Sequence, residues 1–166
     1  NIKKMNEDLY QQVVINWNQT YSPYPKDKTA IELFEEQVWR TPDNVATTFE
    51  GTSLTYSQVN EEANRFGHYI KDHFNINPDV MIVLCLERSH YMLIAILGVL
   101  KAGASYVPVG PEYPDDRISY ILSDTHSKVV ITNAMMRDRF LSLTSDIPVV
   151  SVENGLLWKD CLCTNP

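Results

Sequence analysis

An α/β fold built on a mostly parallel sheet with flanking helices is what the sequence predicts, and three observations predict it. Short β-prone runs alternate with helix-length segments from about residue 80 to 152. The first of these runs, VMIVLCL (Val80–Leu86), is continuously apolar, as a strand covered on both faces must be. The connections are short, so parallel strands joined by right-handed crossovers are the economical arrangement. A β-hairpin precedes this block.

Residues 1–28 read as a lead-in. NEDLYQQVVINWN suits a short helix, and QTYSPYPKDK then brings two prolines and few aliphatics, as a linker does. The chain starts at Asn1 rather than Met, which points to a piece of something longer. At Thr29 the pattern changes: Thr29-Ala30-Ile31-Glu32 is a capping box, Ile31, Phe34 and Val38 follow at helical spacing, and RTPD stops the helix near Arg40. VATTF and TSLTY are strands of a hairpin around Glu50-Gly51, with Gly51 available for positive φ. Thr55 and Gln58 form a second capping box, with Leu54 and Val59 placed as its hydrophobic staple. Val59, Ala63, Phe66 and Ile70 then trace one helix face, and Asn60, Glu61, Glu62 and Asn64 fall on the others.

After the apolar strand, Ser89 caps a helix from His90 to about Ala102 whose apolar residues surround it, so it is expected to be buried. SYVPV, KVVIT and IPVVSV are short strands; DDRISYILSDT and AMMRDRFLSL are helices. The stretch LKAGASYVPVGPEYP (100–114) joins two of these helices through a strand. Lys101 sits in a last helical turn, where a cation favours the dipole, and Gly103 is placed for a left-handed C′ position. Pro108 implies an edge strand or a strand end, and Pro114 is placed to begin the next helix.

The chain has 166 residues, 44% of them hydrophobic and 21% charged, which suits one globular domain. Its net charge of −7 argues against nucleic acid, which needs a cationic footprint. Three cysteines without framework spacing fit a reducing cytoplasm. The polar start is not a signal peptide, and the longest apolar run, YMLIAILGVL, is too short to cross a bilayer; no membrane partner is expected.

Candidate chemistry is sparse. Phosphate cradles need clustered glycines, but Gly51, Gly67, Gly98, Gly103, Gly110 and Gly155 lie no fewer than five residues apart. Cys161 and Cys163 would need two further metal ligands, and no nearby His or Cys supplies them. His68, His73, His90 and His126 form no metal pattern, and the first two read as a solvated helix surface. No serine occupies a nucleophile-elbow context. LERSH follows a strand's carboxyl end, where open sheets place ligands; Arg88 there could hold an anion, but a surface charge beside a capping Ser89 is the favoured reading. Glu35-Glu36, Glu61-Glu62 and Asp115-Asp116 are adjacent carboxylates, read as solvated faces or dipole partners rather than acid–base pairs.

LTYSQVNEEANRFGHYI and LKAGASYVPVGPEYPDDRISYILSD, in this order and spacing, resemble two core motifs of the adenylation domains of nonribosomal peptide synthetases, within the AMP-forming acyl and aryl ligase superfamily. TAIELFEEQVWRTPDNVA is similar to that family's opening segment, and VVINWNQT to the linker after a condensation domain; the similarity runs from about residue 13 to 133 and is weaker beyond. Gly110 stands where the family usually has Asp, Tyr91 where Glu is common and Gln58 where Glu is usual.

The resemblance implies that residues 1–28 are an interdomain linker and residues 29–166 the N-terminal part of an adenylation domain, ending before the phosphate loop. A complete domain would use ATP and Mg2+ to convert an amino acid to its adenylate, then load it on a carrier-domain thiol. The phosphate loop, selecting pocket, ribose-binding Asp and catalytic Lys belong to later segments. No catalytic, cofactor-binding or metal residue is therefore assigned, and this chain alone is expected to be inactive. The implied partners are the rest of the adenylation domain, with condensation and carrier domains. Two alternatives stay open: a split interaction module docking through residues 1–28, and a fragment of a fatty-acyl or aryl ligase. Exposed apolar faces on an incomplete sheet would predict self-association.

Overall fold

A computed structural model describes residues 6–152 and 157–166. The elements follow the order α1 (Glu7–Tyr10), α2 (Ala30–Arg40), β1 (Val45–Phe49), β2 (Thr52–Thr55), α3 (Tyr56–Phe74), β3 (Met81–Cys85), α4 (His90–Lys101), β4 (Ser105–Pro108), α5 (Asp115–Thr125), β5 (Val130–Thr132), α6 (Ala134–Leu143) and β6 (Val149–Ser151). The helical lead-in continues past α1 as a π turn over Gln11–Ile15 and a 3-10 turn over Asn16–Asn18.

Both capping boxes form. Thr29 accepts from the Glu32 amide while Glu32 reaches back to the Thr29 amide, and Thr55 and Gln58 do the same at α3. The β1–β2 hairpin is antiparallel, and its turn residues Glu50 and Gly51 have φ of 48° and 79°, as a mirror-image turn requires.

The parallel sheet has the order β4-β3-β5-β6. Alternation along its strands builds two cores. Ile82, Leu84 and Ile131 face Phe66 and Ile70 of α3 and Ile94 and Val99 of α4. Val83, Cys85 and Val130 face Ile118 and Leu122 of α5 and Phe140 of α6. Helices thus cover both faces of the inner strands β3 and β5, while Tyr106 on the edge strand β4 and Met81 at the start of β3 are exposed. No residue of α4 is exposed, as its all-round apolar pattern predicts.

The corner at 100–114 is architectural. Gly103 has φ of 83°, its amide donates to Leu100 O at 3.0 Å, and that of Ala104 to Val99 O at 3.1 Å, the two bonds of a Schellman cap. Ser105 and Val109 donate to β3, so by alternation position 108 turns its nitrogen outward, and β4 is an edge strand that tolerates proline. Pro114 occupies the N-cap of α5 rather than its first turn, leaving Asp115 and Asp116 in that turn beside the positive dipole end.

Two expectations are corrected. Asn64 does not lie on a solvated face: it is 1% exposed, and its Nδ2 donates 2.7 Å to Cys163 O. Lys101 does more than face the dipole. Its side chain is 1% exposed, paired with Glu35 of α2, and its ammonium also reaches Asn165 Oδ1 at 3.3 Å.

Candidate functional site

In an open parallel sheet the ligand side is the carboxyl end of the strands. Here that end carries Cys85 and the 86–89 loop from β3, the 109–114 corner from β4, and Thr132 from β5. Ser89 caps α4, accepting from the Met92 amide at 3.3 Å, and Arg88 beside it is exposed. Thr132 is fully buried and donates from Oγ1 to Cys85 O at 2.8 Å, joining β5 to β3. Burial pushes the Cys85 thiol up to about 11, so it stays protonated and is not a nucleophile.

Arg139, which no sequence pattern singled out, organises the corner. From α6 its Nε donates to Asp115 Oδ1 at 2.7 Å, Nη1 to Pro111 O at 2.7 Å and Nη2 to Tyr113 O at 2.5 Å. Three of the guanidinium's five donors hold two backbone carbonyls and a carboxylate in the first turn of α5, so Arg139 braces the corner.

The histidines are dispersed. The half-buried His68 ring meets Thr164 O at 3.0 Å in an exposed contact, and His73 is exposed on the helix surface, as expected. His73 stacks on Tyr69 at 4.4 Å, His90 sits edge-on to Phe49 at 6.0 Å, and His126 terminates α5 with φ of 49°. Of the adjacent carboxylates, Asp115 and Asp116 are exposed beside the α5 dipole as expected, while several also make structural contacts. Glu35 pairs with Lys101, Glu36 with Lys28, Asp115 with Arg139, and Glu62 accepts from Trp158 Nε1 at 3.0 Å. These are structural contacts, and Glu35 shares its Lys101 partner with Asn165. Cys161 and Cys163 are free thiols; burial, then the nearby Asp72 and Asp160 carboxylates, push Cys161 up. Among the described residues no three His, Cys, Asp or Glu side chains converge as metal ligands would.

The positions that depart from the family pattern have local explanations. Gln58 caps α3 as a glutamate would, its Oε1 accepting from the Thr55 amide at 2.9 Å. It shares a surface cavity with Tyr91, Glu61, Glu62 and His90 between the hairpin and the starts of α3 and α4. At Gly110 the space of a missing side chain is filled by the Glu112 carboxylate, whose Oε1 stands almost where a Cβ would.

Gly155 lies outside the described residues, and among the described ones the glycines do not converge as a nucleotide's phosphates would need. Gly51 and Gly103 serve isolated turns, while Gly67 and Gly98 face each other where α3 crosses α4.

A parallel sheet wrapped by helices, entered through a hairpin and a capped helix, places the chain in a class. It belongs to the AMP-binding enzyme family, whose profile matches residues 34–160. Within that family the relatives are peptide synthetases. The chain is 42% identical to tyrocidine synthase 3 of Brevibacillus parabrevis over 138 residues, which is 83% of this chain and 2% of that protein. It is 43% identical to N-(5-amino-5-carboxypentanoyl)-L-cysteinyl-D-valine synthase of Amycolatopsis lactamdurans over 139 residues, covering 83% and 4%. The chain thus spans a small fraction of the curated relatives it matches. Its fold is that of solved adenylation proteins. An AMPPNP-bound form of the nonribosomal peptide synthetase FmoA3 superposes with a TM-score of 0.80 at 23% identity, covering 93% of this chain and 16% of that one. The N-terminal subdomain of Klebsiella oxytoca NpsA superposes with a TM-score of 0.70 at 24% identity, covering 84% and 35%.

Proposed function

We propose that the chain is the N-terminal scaffold of an amino-acid adenylation domain in a nonribosomal peptide synthetase. The protein to which it belongs activates an amino acid with Mg·ATP as aminoacyl-AMP and passes the acyl group to a carrier-domain thiol. The observation that carries this reading is the sustained likeness to peptide synthetases, 42–43% identical over more than four-fifths of the chain. The geometry supports the scaffold role: at the ligand side of the sheet Ser89, Thr132 and Arg139 make structural contacts and Cys85 is buried. The reaction's phosphate, ribose and amino-acid contacts then come from segments outside this chain, and so do ATP and Mg2+. Residues 1–28 act as the linker from a condensation domain, and the protein works in the cytoplasm. Co-expression of this chain with the remaining segments of its synthetase tests the proposal. Amino-acid-dependent exchange of labelled pyrophosphate into ATP by the reconstituted pair supports it, and a folded, associated pair without exchange counts against it.

The lead-in carries a second reading. Trp17, Tyr21 and Tyr24 are 65%, 81% and 67% exposed, an aromatic content unusual for a free surface and suited to docking on a partner domain. Residues 1–28 would then be an interaction arm as well as a linker. Substituting the three aromatics by Ser should abolish co-purification with the condensation domain while leaving the fold of 29–166 intact.

A further inference from the structure

The surface cavity between the β1–β2 hairpin and the first turns of α3 and α4 has a volume of about 410 Å³, and the adenylation reading makes no use of it. Its lining is of two kinds. Leu54, Tyr91 and Ile94 give it an apolar wall continuous with the first core. Glu61 and Glu62 of α3 and His90 of α4 supply charge and hydrogen-bonding capacity, and among the described residues no Lys or Arg lines it.

His90 is the unusual member. Both of its ring nitrogens are buried, yet among the described residues neither has a hydrogen-bond partner. The ring packs edge-on to Phe49 at 6.0 Å, a contact that satisfies neither nitrogen. Polar atoms buried in this state cost free energy, so the pair calls for a partner from outside the chain. The two carboxylates also keep free acceptors. Glu62 uses Oε2 to accept from Trp158, which plugs the first core at 1% exposure, and Glu61 Oε1 has a long 3.4 Å contact with Ser57 Oγ. Among the described residues the second oxygen of each is without a partner. The start of α4 is not an open anion site, because Ser89 Oγ already takes the Met92 amide.

A carboxylate only accepts hydrogen bonds, and a neutral imidazole has one accepting nitrogen. Three acceptors, two of them anionic, thus line one cavity with no cation among them. A primary ammonium group is their complement, with three donors and one positive charge. The apolar wall beside them suits an aryl or branched alkyl body, and the volume is ordinary for a small-molecule site. We propose that this cavity binds a small primary amine with an apolar body. Glu61, Glu62 and the accepting nitrogen of His90 hold the ammonium group, and Leu54, Tyr91 and Ile94 cover the body. This site does not rest on the adenylation reading and stands whether or not that reading survives.

The test titrates the full 166-residue chain with phenethylamine at neutral pH, followed by amide and imidazole nuclear magnetic resonance. Saturable shifts confined to His90, Tyr91 and residues 58–62 are expected, with the His90 ring nitrogens among the signals that move. Phenylpropionate keeps the aryl body and reverses the charge, while methylamine keeps the ammonium group and drops the body. Each should bind at least about tenfold more weakly than phenethylamine. Glu61→Gln is an exposed substitution that spares both cores, and it should weaken phenethylamine about tenfold. Glu36→Gln makes the same charge change outside the cavity, in the Lys28 pair, and should leave the affinity as it was. His90→Phe keeps an aromatic ring against Phe49 and should also weaken binding. Phenylpropionate binding as well as phenethylamine, shifts that do not saturate or that spread over the surface, or parent affinity in Glu61→Gln overturns the site. Parent affinity in His90→Phe overturns the part given to its ring.

Discussion

Gly98→Ala tests the packing of α3 against α4 where the two backbones approach most closely. A Cβ at position 98 would stand 2.6 Å from Phe66 Cδ1 and 3.0 Å from Ala63 O. Neither neighbour can give way easily. Phe66 is fully buried and wedged against Trp158, and Ala63 O is helix backbone. Overpacking a tight core costs about 1–3 kcal/mol. The change also removes a glycine from a helix interior, which returns about 1 kcal/mol. Because one obstructing atom is backbone the packing penalty falls in the upper part of that range, about 2–3 kcal/mol, and a net loss of about 1–2 kcal/mol follows. At roughly 2–4 °C per kcal/mol for a chain of this size, the melting temperature should fall by about 2–8 °C. Gly110→Ala is the matched control. Its Cβ would run into Glu112 Oε1, a nominally worse clash, but Glu112 is an exposed carboxylate that can swing away. Its stability should stay within about 0.5 kcal/mol of the parent. Urea unfolding followed by circular dichroism measures both. Gly98→Ala at or above the parent's stability, or Gly110→Ala as unstable as Gly98→Ala, would show that backbone obstruction does not set the cost.

Other consequences follow from single contacts. Trp158→Phe keeps most of the buried ring but strands the Glu62 acceptor, a loss of about 1–2 kcal/mol by chemical denaturation, whereas Trp158→Ala empties the plug and loses about 3–5 kcal/mol. Thr55→Ala deletes the α3 cap and should cost about 1 kcal/mol, read from the same denaturation curves. Glu50→Asn should stabilise the hairpin slightly, since Glu50 already holds positive φ and Asn tolerates it better; an unchanged or lower melting temperature would contradict this. For Cys85 the folded value of about 11 exceeds the ordinary value of 9.0, so the folded state holds the proton more tightly. Its contribution to stability is complete below pH 9 and fades as pH rises toward 11. At pH 8 a thiol reagent should therefore modify Cys163 at once and leave Cys85 untouched until urea is added.

Much of the fold was legible because local chemistry and long-range packing agree. Thr29 and Thr55 announce their helices through capping boxes, Glu50-Gly51 announces its hairpin, and Gly103 announces a Schellman cap. In each case the signal lies within a few residues of the element it controls. The unbroken apolar character of Val80–Leu86 foretold a strand covered on both faces for the same reason. What stayed hidden depends on residues far apart in the chain. Asn64 and Cys163 are brought together only by the fold, as are Lys101, Glu35 and Asn165, so helical periodicity assigned Asn64 to solvent and Lys101 to the dipole. Arg139 looks like any surface arginine until the 111–115 corner folds beneath it. Trp158 had one available signal, a large aromatic beside Leu156 and Leu157 in the apolar-rich stretch LLWKDCLC. The site itself reads the same way from both ends: motif wording names the family, and the motif residues turn out to be caps, turns and packing.

The most direct test of the scaffold role is amino-acid-dependent exchange of labelled pyrophosphate into ATP by this chain alone, assayed with each proteinogenic amino acid in the presence of Mg2+. A scaffold without the phosphate, ribose and amino-acid contacts gives no exchange above the enzyme-free blank for any of them. Exchange stimulated by any amino acid, and lost when the chain is denatured, would mean that the chain carries a catalytic site of its own.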